Sequence, residues 1–192
     1  MVKHVHDAPH RQYPQGMSLP FFTVGHSTRS IEEFIEVLQS TEIGLVIDVR
    51  RLPGSRRHPQ FNEQALRESL GTASIRFERI AELGGRRPVS QDVPFEVNAF
   101  WLNRSFHNYA DHALSEEFQR GLAQLLEHGR EHRTTVMCSE AVWWRCHRRI
   151  IADHLIAHNE QVFHLINQGQ QHAAELTTGA VVDNELVTYP AS

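Results

Sequence analysis

Short apolar runs alternate with amphipathic stretches along most of this chain, and that alternation predicts its architecture. Phe21-Phe22-Thr23-Val24 is an aromatic, β-branched run that stops at Gly25-His26-Ser27-Thr28, which reads as a strand and a turn. Ser30 and Glu33 have the spacing of a capping box, and Ile31, Phe34, Ile35 and Leu38 form the apolar stripe of the helix they open. Gly44 ends that helix. Leu45-Val46-Ile47-Asp48-Val49 is a continuous apolar run of the kind found in a strand covered on both faces. A long loop with Pro53-Gly54-Ser55 and Arg56-Arg57-His58-Pro59 follows, before Asn62 caps a short helix through Leu70. Residues 74–80 predict a third strand, 98–113 a helix of mixed aromatic spacing, and 115–130 a clearer amphipathic helix. Thr134-Thr135-Val136-Met137 is a buried strand that runs through Cys138-Ser139-Glu140 and a loop into a helix carrying Ile150, Ile151, Leu155 and Ile156. Residues 161–166 predict the last core strand, and 176–189 a terminal hairpin turning near Asp183-Asn184.

Strands separated by helices imply right-handed βαβ units: a single α/β domain over residues 20–192, Rossmann-like, with a mainly parallel sheet and helices on both faces. Residues 1–19, rich in His, Gln and Pro, are expected to be a flexible tail. Ligands of such sheets sit outside the carboxyl ends of the strands. The segments leaving the three best strands, Gly25-His26-Ser27, Asp48-Val49-Arg50-Arg51 and Cys138-Ser139-Glu140, hold the polar, reactive residues of the chain.

Composition narrows the class. No window approaches the ~18 unbroken apolar residues of a membrane span, and the N-terminus lacks the apolar core of a secretory signal. A chain of 192 residues with two cysteines needs no disulfide framework, so a reducing, cytoplasmic compartment and no membrane partner are expected. The formal charge of −4 hides an asymmetry: Lys3 is the only lysine beside 18 arginines. A coding bias accounts for that without physics. Clustering favours a functional reading, because Arg50, Arg51, Arg56 and Arg57, then Arg86 and Arg87, then Arg145, Arg148 and Arg149 form three short groups suited to planar, bidentate capture of phosphate or carboxylate.

The candidate chemistry follows from these segments. Cys138 ends a strand, where it either packs as a small apolar residue or, facing the start of the next helix with Arg145, Arg148 and His147, is held as a thiolate nucleophile. Cys146 lies near that helix start, which leaves redox pairing with Cys138 open. His26, Cys138, Cys146 and His147 are acceptable ligand types, but Cys-x7-Cys-His matches no zinc knuckle, so no metal ligand and no cofactor are assigned. Glu140 and Asp48 are the acid–base candidates. Asp48 is equally an ion-pair partner for Arg50, Arg145 or Arg148, whereas Glu140 follows Cys138 closely and is assigned chemistry with His26. Trp143 and Trp144 point different ways, so one is core and the other is free to stack on a base.

Val24-Gly25-His26-Ser27, Asp48-Val49-Arg50 with Pro53 and Ser55, Phe61, Glu82-Leu83-Gly84-Gly85, Tyr109-Ala110-Asp111, and Cys138-Ser139-Glu140 with Cys146-His147-Arg148 together resemble the bacterial family known as domain of unknown function 488. The resemblance covers residues 20–166. It implies an α/β domain with a polar pocket and a link to nucleic-acid metabolism, with no settled reaction. Where the family commonly has polar or Pro-containing residues between Glu140 and Cys146, this chain has the bulky Ala141-Val142-Trp143-Trp144. A fainter similarity to rhodanese-like and cysteine-phosphatase sites concerns architecture alone, since Cys138 to Arg145 is one residue longer than a Cys-x5-Arg loop.

The expected function is therefore an enzyme acting on a phosphate-bearing or nucleobase-containing substrate. Glu140, Cys138 and His26 are its expected catalytic groups. Ser27, Asp48, Arg50, Arg51, Ser55, Arg56, Arg57, Tyr109, Arg145, Cys146, His147 and Arg148 are its expected binding groups. The alternatives are a non-catalytic module for a nucleotide or nucleic acid, with Arg56, Arg57, His58, Arg86 and Arg87 on phosphates, and a cysteine redox or metal-binding protein.

Overall fold

The computed structural model describes residues 19–191, so all of the expected tail except residue 19, including His4, His6 and His10, lies outside the described residues. Thirteen helices and strands follow in order: β1 Phe21–Gly25, α1 Ile31–Gln39, β2 Leu45–Asp48, α2 Glu63–Thr72, β3 Arg76–Arg79, α3 Arg104–Ala113, α4 Glu116–Glu131, β4 Thr134–Cys138, α5 Arg148–Ala157, β5 Val162–Asn167, β6 Gln170–Ala173, β7 Val181–Asp183 and β8 Leu186–Thr188. Strands β1 to β5 are parallel in the order β3-β2-β4-β1-β5, β6 adds to β5 antiparallel, and β7 and β8 form a separate hairpin. No helix among the described residues is long and apolar enough to cross a membrane.

Strand periodicity of two divides the core into layers. Phe21, Leu45, Ile47 and Val136 pack with α3, α4 and α5, whereas the alternate Phe22, Val24, Val46 and Met137 pack with α1 and α2. Helices therefore cover both faces, as the continuous apolar strands require. The capping box of α1 forms as the sequence predicts: Ser30 Oγ accepts from the Glu33 amide and Glu33 accepts from the Ser30 amide.

Four elements depart from expectation. Asn62 precedes α2 but does not cap it with its side chain, because its Oδ1 accepts the Ser55 amide at 2.7 Å and anchors the long loop instead. The helix expected over 98–113 begins at Arg104, where Asn103 caps it, and a 3-10 turn occupies Phe95–Asn98. Trp143–Arg145 is a single 3-10 turn, so α5 starts at Arg148 rather than near Arg145. β6 was hidden because Gln170-Gln171-His172-Ala173 is exposed throughout and presents no apolar face.

Two core histidines give the fold an acid limit. His154 is buried with neither ring nitrogen hydrogen-bonded among the described residues, and burial holds its pKa down to about 3. His164, bonded to Thr23 Oγ1 at 2.7 Å and stacked on Trp143, is held by burial and then by Arg148 to about 3. Because the unfolded chain takes up these protons near the ordinary value of 6.5 and the folded chain does not, stability is complete above that pH and falls as pH drops toward 3. The expected slope is about 1.4 kcal/mol per pH unit for each histidine. Urea denaturation across this range will show it, and His154→Leu will remove one proton's worth of the slope.

Candidate functional site

The chain order within the sheet fixes where a site can form. β1 leads through α1 toward β2 on one side, whereas β4 leads through α5 toward β5 on the other, and the two helices lie on opposite faces. Beside the adjacent ends of β1 and β4 the loops diverge and leave a crevice, the usual ligand position in such sheets. Backbone bonds continue beyond the strands there, from His26 N–H to Cys138 O and from Ser27 N–H to Ser139 O, each 3.0 Å, and from Val49 N–H to Met137 O at 3.0 Å. The crevice opens into a cavity of about 470 Å³.

Asp48, fully buried at the end of β2, fixes one wall. Its carboxylate accepts from the Arg50 amide and Nε at 2.9 Å and from Arg50 Nη2 at 2.7 Å. The remaining Arg50 nitrogen, Nη1, lies 3.3 Å from His26 Nε2. His26 Nδ1 lies 3.0 Å from the Ser27 carbonyl, an acceptor only, so Nδ1 carries the ring proton and Nε2 accepts from Arg50. Burial, reinforced by the Arg50 charge, holds the His26 pKa down to about 4, so this ring stays neutral and stacks on Phe61. It orients Arg50 rather than storing a proton near neutral pH.

The opposite wall carries both cysteines. Cys146 Sγ receives Arg148 Nε at 3.3 Å and stands 3.6 Å from His147 Nδ1. His147 Nε2 lies 3.2 Å from the Val49 carbonyl, which makes Nε2 the protonated nitrogen and leaves a lone pair on Nδ1. Burial pushes the Cys146 thiol up, but the hydrogen bond from Cys138 and the Arg148 charge outweigh it and bring it below its ordinary value. The same hydrogen bond, with burial, pushes Cys138 up. The sequence places a thiolate at Cys138, and the two shifts run the other way. Arg148 turns toward Cys146 and the Glu140 carbonyl rather than toward Cys138, so its charge favours a thiolate at Cys146. The ligand atoms of Cys138, Cys146 and His147 lie within 4.8 Å of one another, a grouping able to hold a metal ion, and His26 stands outside it.

Ten of the fifteen expected residues line this one cavity: His26, Arg50, Arg51, Ser55, Tyr109, Cys138, Glu140, Arg145, Cys146 and His147. Tyr109 is fixed there by donating to the Leu83 carbonyl at 2.7 Å. Five do not line it. Asp48 and Arg148 are buried behind the wall they position, Ser27 lines a separate shallow pocket with Arg29 and Glu33, and Arg56 and Arg57 are exposed outside the cavity. Trp143 is stacked on His164, and Trp144 is the exposed one of the pair.

Ser105 and Phe106, the start of α3, and Ser139 also line the cavity and were not anticipated as site residues. Arg86 reaches it from a residue with φ of 55°, a left-handed conformation that turns the Gly84-Gly85-Arg86 loop inward. Gly85 is required beside it, since a Cβ there would stand 2.8 Å from His147 Nδ1. The side chains of Arg51, Arg86 and Arg145 have no carboxylate partner among the described residues.

No curated protein and no solved structure matches the chain. A family described as domain of unknown function DUF488 matches residues 30–155, a span holding α1 to α4, β2 to β4, most of α5 and every cavity residue except His26. The chain belongs to that family.

Proposed function

We propose that the cavity is the active site of an enzyme whose substrate carries a phosphate or a similar anion, with a nucleobase-containing molecule as the favoured class. One observation carries this reading: Arg51, Arg86 and Arg145, from three separate loops, line one cavity, and none of them is ion-paired with a carboxylate among the described residues. A phosphate or carboxylate entering the cavity would gain charge-assisted, bidentate hydrogen bonds from them. Arg50 is already neutralised by Asp48 and serves to shape the wall. Glu140 is exposed at the cavity mouth and free to move a proton to or from a bound substrate. Phe106, half-buried at the cavity wall, offers apolar surface to a ring, which fits a base better than a bare sugar phosphate.

Titrating the protein with inorganic phosphate, nucleoside mono- and diphosphates and single-stranded oligonucleotides at two salt concentrations tests the reading. Saturable nucleotide binding is expected, weakened about tenfold or more by Arg145→Ala, since a charge-assisted hydrogen bond contributes about 1.5–3 kcal/mol. Glu140→Gln should leave that binding in place and abolish turnover of whichever nucleotide is consumed. Steeply salt-dependent oligonucleotide binding that depends on Arg56 and Arg57 and not on Arg145 would instead identify a nucleic-acid module.

A further inference from the structure

We propose that Cys138, Cys146 and His147 form a zinc site with one open coordination position facing the cavity. Three features of the cluster meet what such a site needs. First, the ligand set is two thiols and an imidazole, a borderline-soft combination that suits zinc, and a catalytic zinc site uses three protein ligands with the fourth position left for water.

Second, the spacing fits. Tetrahedral zinc with bonds of about 2.3 Å to sulfur and about 2.0–2.1 Å to nitrogen holds its S and N ligands about 3.6 Å apart. Cys146 Sγ and His147 Nδ1 stand 3.6 Å apart, and no pair in the cluster exceeds 4.8 Å. Loading the ion requires no ligand pair to close by more than about 1.2 Å.

Third, the outer shell is in place. His147 gives its other ring N–H to the Val49 carbonyl, which aims the Nδ1 lone pair at the cluster, as metal-ligating histidines commonly do. Arg148 Nε donates to Cys146 Sγ. Two thiolates cancel the charge of the ion, so the buried centre is neutral apart from Arg148. Gly85, where any side chain would strike the His147 ring, keeps that ring in place.

The spacing Cys138-x-Glu140 adds a consequence that rests on the enzyme reading above. A carboxylate two residues beyond a zinc ligand is the arrangement zinc hydrolases of nucleobases use for proton transfer. Zinc-bound water would give a proton to Glu140, the resulting hydroxide would add to an electrophilic carbon or phosphorus of the arginine-held substrate, and Glu140 would return the proton to the leaving group. No oxidant or reductant is needed.

Cobalt(II) substitution of full-length protein, stripped with a chelator, tests the site directly. Expected is one equivalent bound with a thiolate-to-cobalt charge-transfer band and the strong d–d absorption of a four-coordinate ion. Cys146→Ser and Cys138→Ser should each weaken the charge-transfer band, and His147→Gln should lower affinity at least tenfold. Cobalt bound without a thiolate band, through the histidine-rich N-terminus for instance, overturns the proposal. Because a cysteine variant can fail to fold, mass-spectrometric alkylation of the wild-type chain is the second measurement: zinc must protect both thiols together, and unequal or absent protection also overturns it. Nucleotide titration of the stripped and the loaded protein separates the two readings. Anion binding without a thiolate band rejects the metal and keeps the arginine pocket, whereas the band without anion binding does the reverse.

Discussion

Replacing Asp48 by alanine will cost the protein about 3–5 kcal/mol, the range for removing one partner of a buried ion pair. Asp48 is fully buried and Arg50 is 5% exposed, so losing the carboxylate leaves the guanidinium with little solvent to compensate it. The carboxylate engages three Arg50 donors, including the backbone amide. With the carboxylate gone, the guanidinium retains His26 Nε2 as its neighbour, and a neutral imidazole does not compensate a buried cation. The loss should appear in urea denaturation as a lower midpoint with an unchanged slope.

The control is the pair taken out together. Asp48→Ala with Arg50→Met removes the uncompensated charge and fills its volume with apolar atoms, so the double variant should recover at least half of the single variant's loss. Recovery would show that the pair costs the fold little net and is there to place a guanidinium at the cavity wall. Equal loss in single and double variants would mean that the Asp48 carboxylate holds the β2 end by itself, through the Arg50 amide.

The strand ends were legible in the sequence because apolar runs of four or five residues stop abruptly at polar ones, and the parallel topology sends all those ends to one rim. His26, Arg50 and Cys138 follow from that rule alone. Other features depend on distances that spacing does not encode. Cys146 and His147 lie beyond an apolar loop that turns once as a 3-10 helix, and only that turn returns them to Cys138. Which cysteine the nearby charge favours depends on the direction of one buried side chain, Arg148, and the arginine-rich stretch of sequence contains no hint of it. In sequence Arg86 and Arg87 read alike as phosphate contacts. In the structure they part company: a left-handed backbone sends Arg86 inward, while Arg87 pairs with Glu117 and the carbonyls of Ala81, Glu82 and Gly84. Arg56 and Arg57 read like Arg50 in sequence, but Arg50 is held by Asp48 two residues back, whereas they lie exposed in a loop pinned by Ser55 and Asn62.

Gly25→Ala will disrupt the site more than any single removal of a cavity side chain, because it acts on the backbone that joins two of its walls. A Cβ at Gly25 would stand 1.8 Å from the Glu140 carbonyl oxygen and 2.7 Å from its carbon, with Arg148 Nη2 at 3.0 Å. Ordinary contact needs well over 1 Å more, and the obstacle is backbone already hydrogen-bonded to Arg148, not the far end of a mobile chain. The segment must move, taking Glu140 with it and breaking the bonds from His26 and Ser27 to Cys138 and Ser139. Overpacking of this kind costs about 1–3 kcal/mol and sometimes more. The stability loss should therefore be accompanied by complete loss of nucleotide binding and, in the cobalt-loaded protein, of the thiolate band. Gly71→Ala is the matched control: it lies in α2 with nothing within 4 Å of the added methyl, and should gain up to about 1 kcal/mol from helix propensity while leaving both readouts untouched. A Gly25→Ala protein that retained nucleotide binding would show that the β1 and β4 loops are not joined as the geometry requires, since a contact of 1.8 Å to a main-chain oxygen leaves no way to keep both the methyl group and the site.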